Sequence, residues 1–322
     1  MDTEKIYEEA LRMWRTVSVG DLENASWDGS AGGDLLLIGD NLSLMAAITR
    51  QIGEGARKPL SLIYMDPPYF SNRDPGSRLT VKTPSGESVV TVPAFSDTWP
   101  GTGMSGSAEE AMEAYLAMLI PRVIAAHELL AEDGSLWIHL DRRAVHYVKV
   151  MADAAFGGQD HFINEIVWAY KSGGSSTKRF SNKHDTLLFY AKNKKKYKFF
   201  PQEEKSYNRG LKPYRFKGVK EYRDDYGWYT IVNMKDVWEI PMVGRTAGER
   251  TGYATQKPEA LLERIVLACT EEGDTCMDPF GGSGTLAAVC AKNDRGWVYI
   301  DESPMAAEIC ADRLGMKPGG KK

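Results

Sequence analysis

The stretch SLIYMDPPYFSN, residues 61–72, ends a run of apolar residues with a carboxylate and two prolines. Residues 62–65 form a short continuous apolar run, which is typical of a parallel strand covered on both faces. Pro67 and Pro68 have no N–H and a fixed φ, so the sheet cannot continue through them. Asp66 is therefore predicted at the carboxyl end of a strand, where open α/β sheets bind their ligands. The alternative is a turn that only leaves the sheet.

Length and composition indicate an ordinary globular protein. The chain has 322 residues, of which 43% are hydrophobic and 26% charged, with a net charge of -4, and it can form one large domain with or without an insert. No apolar run is long enough to predict a membrane span, and the acidic N-terminus does not resemble a signal peptide. The cysteines and histidines show no metal-ligand spacing, so we predict no metal site and reduced thiols in a cytoplasmic protein.

Strands and helices alternate along most of the chain. Residues 70–106 are rich in Gly, Pro, Ser and Thr without a long period, and we expect a long loop there, which at this length is usually functional or mobile. Ser107 and the acidic residues after it predict a helix that runs to about Leu130. Strands are predicted at residues 35–38, 62–65, 134–140, 163–170, 185–192, 275–278 and 296–301.

The middle of the chain is basic. Residues 192–223 contain twelve lysines and arginines and only three glutamates, and aromatic residues alternate with the basic ones. A charge run is more often a solvated face than a binding site. Basic residues interleaved with aromatic ones also fit backbone and groove contacts with nucleic acid.

A second motif, MDPFGGSGTLAAV at residues 277–289, predicts a strand, a glycine turn and a helix. Glycines let a backbone approach a ligand closely, and a helix N-terminus favours an anionic group. No lysine follows Gly284, as a phosphate-binding P-loop would require. Asp301 ends the next strand about 20 residues later, the offset at which an acidic side chain reaches a ribose. The pattern indicates a nucleoside-containing cofactor, either NAD or S-adenosylmethionine.

Three motifs in this order, DPPY at 66–69, TQKPEALLERIV at 255–266 and DPFGGSGT at 278–285, resemble the beta class of DNA amino-methyltransferases. GDNL at 39–42 and HDTLLFYAKN at 184–193 extend the resemblance to most of the chain apart from the basic middle. It implies an α/β fold, a Rossmann-like methyltransferase sheet with permuted motif order. In that sheet the two strands near the N-terminus are separated by the two near the C-terminus, and all their carboxyl ends lie along one edge.

The resemblance also implies a domain organisation. Residues 1–192 would form the catalytic half of the methyltransferase core, and residues 245–322 the half that binds S-adenosylmethionine. Residues 193–244 would be a short DNA target-recognition insert, too small for an independent fold. Its expected DNA contacts are Lys194, Lys195, Lys196, Lys198, Arg209, Lys212, Arg215 and Lys217.

DPPY has a chemical explanation within this resemblance. The exocyclic amine of adenine is a poor nucleophile until both N–H bonds are held by acceptors, which the Asp66 carboxylate and the Pro67 carbonyl can supply in a preorganised geometry. Tyr69 would offer its ring face, rather than its hydroxyl, to a base flipped out of the duplex. Methyl transfer is then direct. A cytosine-C5 enzyme would need a nucleophilic cysteine, usually in a Pro-Cys pair, and the chain has none.

The cofactor residues follow from the same resemblance. Asp40 and Asn41 would meet the adenine of the cofactor, Asp301 its ribose, and Lys257 and the glycine turn its methionine end. Asp40 as a helix N-cap, Lys257 as a solvated lysine and Asp278 as a turn cap are the structural alternatives. The full predicted set is Asp40, Asn41, Asp66, Lys257, Asp278, Phe280, Gly281, Gly282, Gly284, Thr285 and Asp301.

We therefore expect an S-adenosylmethionine-dependent adenine-N6 methyltransferase that acts on double-stranded DNA. Ser-Pro-Pro-Tyr is more usual in cytosine-N4 enzymes, so Asp66 favours adenine. The alternatives are cytosine-N4 methylation, an RNA target, or a DNA-recognition subunit of a restriction assembly. A homodimer and a cognate restriction endonuclease are further expectations, whereas a membrane partner is not expected.

Overall fold

The computed structural model describes residues 1–27, 33–72, 74, 76–83, 86–100, 107–171 and 175–316. Most of its strands belong to one large sheet. The strands are β1 (Leu35–Ile38), β2 (Leu60–Met65), β3 (Gly76–Thr83), β4 (Gly86–Pro93), β5 (Leu130–Leu140), β6 (Phe162–Ala169), β7 (His184–Ala191), β8 (Glu203–Tyr207), β9 (Glu221–Arg223), β10 (Trp228–Asn233), β11 (Val237–Glu239), β12 (Thr275–Asp278) and β13 (Gly296–Asp301).

Helices connect these strands and cover the sheet. They are α1 (Thr3–Thr16), α2 (Leu22–Ala25), α3 (Asn41–Gly53), α4 (Ala108–Leu129), α5 (Val145–Ala155), α6 (Glu259–Cys269), α7 (Thr285–Lys292) and α8 (Pro304–Arg313). The predicted start of α4 is confirmed, because Ser107 and Glu110 form a reciprocal capping box, which satisfies two N–H groups at the helix end.

The main sheet has the strand order β1-β13-β12-β2-β5-β7-β6-β11. The predicted arrangement is confirmed: β13 and β12 lie between β1 and β2, and these four strands are parallel. We call the edge where they end, at Asp66, Asp278 and Asp301, the carboxyl edge, and the opposite edge the amino edge. β7 runs antiparallel to both β5 and β6, so β7 begins at the carboxyl edge and ends at the amino edge.

The two faces of the sheet form two cores. Alternate residues along each strand point to opposite faces, so Leu37 and Ile63 join a core with α1, α3, α4 and α5. Leu36 and Leu62 join the other core, with α6, α7 and α8. No helix of the described part of the chain is long and apolar enough to cross a membrane.

The segment 70–106 differs from the expected loop. β3 and β4 form an antiparallel hairpin that pairs Gly76 with Pro93, while the expected loop at residues 101–106 lies outside the described residues. The prediction of a long loop was wrong for 76–83 and 86–93, because the Gly/Pro/Ser/Thr composition obscured two short strands that pair with each other.

The basic middle contains a small separate sheet, in the order β8-β10-β9. The small sheet joins the rest of the protein beside the paired residues Glu203 and Asn233. There the N–H of Met234 donates to the carbonyl of Gln202, and the N–H of Phe200 donates to the carbonyl of Ala268 on α6. β11 then returns to the main sheet and pairs with β6 in parallel. The chain between 193 and 244 therefore contributes one strand to the large sheet.

Candidate active site

The carboxyl edge opens into a cavity of about 510 Å³, a size typical of small-molecule and cofactor sites. Three strand-end carboxylates line it: Asp66 after β2, Asp278 at the end of β12 and Asp301 at the end of β13. The DPPY motif and the glycine turn, which are about 200 residues apart in sequence, therefore form one cavity.

Asp66 is held by two neighbours. One carboxylate oxygen accepts the hydroxyl of Tyr69 at 2.7 Å, and the other pairs with the ammonium of Lys257. Lys257 is 8% exposed, and its ammonium lies 5.0 Å from the centroid of the Tyr69 ring. A charge-assisted bond in a shielded site is strong, so the three side chains form one fixed unit.

The Tyr69 hydroxyl is thus a hydrogen-bond donor to the carboxylate. Burial, and then the charge of Asp66, raise the pKa of Tyr69 well above its ordinary value, so the phenol stays protonated. Sequence reasoning assigned a role only to the ring; the structure adds a role for the hydroxyl, which orients Asp66.

Residues 95–99, FSDTW, hold the chain that follows the DPPY motif in place through hydrogen bonds. The sequence alone did not indicate a role for this stretch. Asp97 is 2% exposed and accepts the backbone N–H of Ser71 at 2.6 Å and the indole N–H of Trp99 at 2.9 Å. Phe70 has a φ of 57°, in the left-handed region that a phenylalanine rarely adopts. The Asp97 bonds stabilise this turn, which keeps the Pro67–Tyr69 backbone in place.

The glycine turn is shaped by close packing. A Cβ on Gly281 would lie 2.2 Å from the ring of Tyr299, and one on Gly284 would lie 2.3 Å from the sulfur of Cys310. Gly282 and Gly284 also have φ values of 49° and 72°, which glycine adopts without strain. Packing and backbone conformation thus favour glycine at these positions, and Gly281 and Gly282 line the cavity.

Asp301, the last residue of β13, holds the glycine turn through a hydrogen bond. Its two oxygens accept the N–H groups of Gly282 and Ser303, each at 2.8 Å. Burial raises the pKa of Asp301 to about 6 against these two hydrogen bonds. A carboxylate has about four acceptor positions, so Asp301 retains capacity for two hydroxyl donors, as a ribose would supply.

Asp278 is a buried acid at the floor of the cavity, 6% exposed. It accepts the N–H of Phe280 at 2.9 Å, as the turn-cap alternative requires. Burial, with the charges of Asp66 and Asp301, raises the pKa of Asp278 well above its ordinary value. The hydrogen bond to Phe280 makes this carboxyl group part of the turn, and the group also lines the cavity.

Asp40 and Asn41 have structural partners. Asp40 caps α3 through Ser43 N–H at 2.8 Å and pairs with Arg122 at 3.1 Å. Asn41 donates its amide to the carbonyl of Pro279 at 2.7 Å, and its oxygen accepts from Arg122. Asn41 and Arg122 both line the cavity. Asn41 thus fastens GDNL to the glycine turn, and Arg122, which sequence reasoning missed, fastens GDNL to α4.

Thr285 joins the glycine turn to the TQKP motif. Its hydroxyl donates to the carbonyl of Lys257 at 3.1 Å, and Arg313 donates to the same hydroxyl at 3.1 Å. Within the turn, the N–H of Gly284 donates to the carbonyl of Gly281. These contacts place Thr285 where it holds the lysine backbone against the turn.

A buried polar chain that sequence reasoning missed lies behind Asp66. The hydroxyl of Tyr64 bonds His139 Nδ1 at 2.7 Å, and His139 Nε2 lies 3.6 Å from Asp185, which accepts the hydroxyl of Tyr170 at 3.1 Å. His139 is fully buried and its Nδ1 lies 4.0 Å from Asp66. The available signal was a single histidine in the apolar strand SLWIHL.

The predicted DNA-contact lysines divide into two places. β7 ends at the amino edge, where the N–H of Lys192 donates to the carbonyl of Gly134. Lys198 lies at the same edge and pairs at 2.7 Å with Asp274, the residue before β12. Lys196 faces Glu132 at 3.5 Å. This group, which also contains Lys194 and Lys195, is separated from Asp66 by the length of β2, about 20 Å at 3.3 Å per residue. Arg209, Lys212, Arg215 and Lys217 are exposed around the small sheet.

Over the residues that the structure describes, no group of three or more His, Cys, Asp or Glu side chains is arranged to hold a metal ion. The side chains that line the cavity include carboxylates, one lysine, two arginines and three tyrosines.

Comparisons with known proteins agree with this geometry. The family model for N6/N4 DNA methylases matches residues 60–312. The chain is 31% identical over 195 residues to the type II methyltransferase M.HpaI of Haemophilus parainfluenzae, a match that covers 60% of this chain and 57% of the relative. It is 28% identical over 259 residues to the type II methyltransferase M2.DpnII of Streptococcus pneumoniae, covering 79% and 82%.

One further relative and one solved structure are informative. The DNA adenine methyltransferase YhdJ of Escherichia coli is 28% identical over 193 residues, covering 58% of this chain and 62% of the relative. The structure of the PvuII cytosine-N4-specific DNA methyltransferase matches with a TM-score of 0.57 at 14% identity, covering 90% and 89%, which shows a shared fold. Because the family model covers most of the chain and all three motifs line one cavity, the protein belongs to the N6/N4 DNA methylase family.

Proposed function

We propose that this protein transfers a methyl group from S-adenosylmethionine to the N6 amine of an adenine in double-stranded DNA. The observation that carries the proposal is the Asp66 carboxylate, held by Tyr69 and Lys257 at the mouth of the cavity that the glycine turn lines. The family supports methylation of DNA. YhdJ, a relative named as an adenine methyltransferase, and the Asp-Pro-Pro-Tyr form of the motif both support adenine over cytosine.

The cavity fits the cofactor by shape and by donor chemistry. Gly281 and Gly282 line the cavity, and a Cβ on Gly281 would collide with the ring of Tyr299. Asp301 supplies the acceptors for a ribose. Among the predicted contacts, Asn41, Phe280 and Thr285 also line the cavity. When bound, S-adenosylmethionine supplies a methyl group on a positively charged sulfur that the amine can attack.

The residues of this chain act on the amine. The lone pair of the adenine N6 is delocalised into the ring, and it becomes available when both N–H bonds are held by acceptors. Asp66 has two acceptor positions left beside Tyr69 and Lys257, and the Pro67 carbonyl is fixed by the ring of Pro68. Such acceptors need no reorganisation during the reaction, which is the basis of electrostatic preorganisation.

Lys257 and Tyr69 set the direction of the carboxylate. Both donate to Asp66, so its remaining lone pairs are directed by two fixed bonds. Lys257 was expected near the methionine end of the cofactor; its bond to Asp66 supports a second role as the positioning cation of the catalytic acceptor. The raised pKa of Tyr69 keeps the phenol a donor over the working pH range.

We also propose protein partners and DNA contacts for this protein. Relatives named type II methyltransferases support a cognate restriction endonuclease for this protein, and a homodimer is proposed with it. The recognition insert of residues 193–244 is proposed to read the DNA sequence through Arg209, Lys212, Arg215 and Lys217, because these side chains are exposed around a small sheet.

Methylation-sensitive sequencing of DNA from cells that express the protein tests the proposed function. The expected result is N6-methyladenine at one short sequence motif, absent from cells that express Asp66→Ala. Methylated cytosine at N4 would contradict the adenine assignment. Unmodified DNA, alongside purified protein that binds S-adenosylmethionine, would contradict DNA as the substrate.

A further inference from the structure

The connection between β6 and β7 lies at the carboxyl edge, close to Asp66. β6 ends there and β7 begins there. At the base of the connection, the N–H of Tyr170 donates to the carbonyl of Lys183 at 2.9 Å. Asp185, two residues after Lys183, lies 3.6 Å from His139 Nε2, and His139 Nδ1 lies 4.0 Å from Asp66. The connection therefore leaves the sheet beside the DPPY motif.

This connection is basic in sequence, and most of its described residues are exposed. We call residues 175–183 the basic arm. The chain from Lys171 to His184 contains three lysines and one arginine and no acidic residue, although the whole protein has a net charge of -4. Lys178 and Arg179 are exposed. A run of positive charge on the active-site edge of an acidic protein favours a polyanion as the ligand.

Phe180 is the most exposed apolar side chain of the described chain, at 99%. Burial of a fully exposed phenylalanine side chain is favourable, because its apolar surface is removed from water. It follows Lys178 and Arg179 directly and lies five residues before Asp185. Five residues span at most about 17 Å, so the phenyl ring stays within reach of a duplex at the cavity mouth.

We propose that the basic arm binds the DNA duplex beside the target adenine. In this complex Lys178 and Arg179 contact backbone phosphates, and Phe180 inserts into the base stack. The proposal rests on the proposed function, which requires the target base to leave the duplex. An apolar wedge between base steps lowers the cost of unstacking. The arm supplies this wedge on the same edge as Asp66, whereas Lys194–Lys198 lie on the opposite edge.

The first experiment compares two pairs of basic residues. Lys178→Ala with Arg179→Ala is expected to reduce the slope of log K against log salt for a short unmethylated duplex by about 1.8, since each lost phosphate contact removes about 0.9. The control, Lys194→Ala with Lys195→Ala at the amino edge, should leave the slope unchanged. An unchanged slope for the arm variant, or equal losses for both pairs, would overturn the proposal.

The second experiment tests the wedge. Wild-type protein should bind a duplex with one abasic site about 10-fold more tightly than the intact duplex, because the gap removes the unstacking cost. Phe180→Ala should lose most of this preference, and Phe180→Trp should keep it. Phe199→Ala, a half-exposed phenylalanine at 49% in the amino-edge segment, serves as control. A preference that survives in Phe180→Ala would contradict insertion.

These readouts do not require methylation. Because Lys178, Arg179 and Phe180 are all exposed, we expect unchanged melting temperatures for the variants, and this measurement excludes misfolding as a cause. If wild-type protein bound duplex DNA but methylated nothing, the proposed function would fail while the salt slope still decided the role of the arm.

Discussion

Two basic segments lie at opposite edges of the same sheet. The segment 192–198 contains five lysines and lies at the amino edge, where Lys198 pairs with Asp274 at 2.7 Å and faces Asp133 at 3.6 Å. The basic arm has fewer charges, and its Lys178 and Arg179 extend into solvent at the carboxyl edge beside Asp66. Charge density in the sequence therefore does not show at which edge of the sheet a basic segment lies; the direction of β7 does.

The pair at the amino edge has the chemistry of a structural contact. Lys198 is 18% exposed at its side chain and Asp274 is 17% exposed. Burial lowers the pKa of Lys198, but the hydrogen bond and charge of Asp274 raise it above the ordinary value overall. The same lysine also approaches Glu271 at 3.5 Å. A cation surrounded by three carboxylates is already neutralised, so it offers little to a phosphate.

The largest difference between the edges should appear with two aspartates. Asp66→Ala at the carboxyl edge should lower kcat for DNA methylation by about 1,000-fold, because a preorganised acceptor is lost, with cofactor affinity within a few-fold. Asp274→Ala at the amino edge should keep kcat and lower the melting temperature. Steady-state kinetics and calorimetric cofactor titration measure both. Equal loss of cofactor binding and turnover in Asp66→Ala would contradict its assignment to the amine.

Tyr69 should give the next effect. Tyr69→Ala is expected to lose about 5- to 150-fold in kcat/KM, the equivalent of about 1–3 kcal/mol of base stacking. Tyr69→Phe keeps the ring but loses the bond to Asp66, worth about 1 kcal/mol, and should lose about 5-fold. An abasic partner opposite the target should partly rescue the alanine variant. If the phenylalanine variant matched wild type, the hydroxyl would have no part in orienting Asp66.

Cofactor affinity should depend on the ionisation of Asp301. Its pKa of about 6 in the free protein means that the carboxylate forms as pH rises through about 6. A ribose hydroxyl bonds the carboxylate more strongly than the neutral acid, so the Kd for S-adenosylmethionine should rise as pH falls below about 6, by at most about 10-fold per pH unit. Titrations between pH 5 and 8 measure this, and Asp301→Asn should give a flat profile. A wild-type profile as flat as that of the variant would exclude Asp301 from the cofactor contacts.

The smallest effect concerns Lys198. Lys198→Ala should lower the free energy of unfolding by about 1 kcal/mol and leave the salt dependence of DNA binding unchanged. Burial raises the pKa of Asp274, but the Glu271 N–H and Lys198 lower it overall. The contribution of Asp274 to stability is therefore present above about pH 4 and is lost as pH falls through its lowered pKa. Chemical unfolding at pH 7 and pH 3 measures the difference between wild type and variant. A reduced salt slope in Lys198→Ala would return this lysine to the DNA surface.

Much of the fold could be predicted because its signals are local. The apolar run before Asp66, the glycines after Asp278 and the capping box at Ser107 each depend on neighbours in sequence. The motif order then implied the strand order, which the structure confirms. The β3–β4 hairpin was missed because its strands carry few apolar residues in alternation.

The finer geometry of the site could not be predicted, because it depends on contacts between distant segments. Lys257 meets Asp66 across 191 residues, and Arg122 meets Asn41 across 81. The Tyr64–His139 bond joins adjacent strands whose pairing no local pattern specifies. Lys198 lies away from the cavity because β7 runs antiparallel, and strand direction cannot be read from the residues of one strand.

The most direct test of the central claim is nucleoside analysis of DNA methylated in vitro. Purified wild-type protein, Asp66→Ala and Asp274→Ala are incubated with unmethylated plasmid and S-adenosylmethionine labelled in the methyl group, and the digested nucleosides are separated by mass spectrometry. We predict labelled N6-methyldeoxyadenosine with wild type and Asp274→Ala, and none with Asp66→Ala. Label in N4-methyldeoxycytidine, or wild-type amounts of N6-methyldeoxyadenosine with Asp66→Ala, would contradict the account.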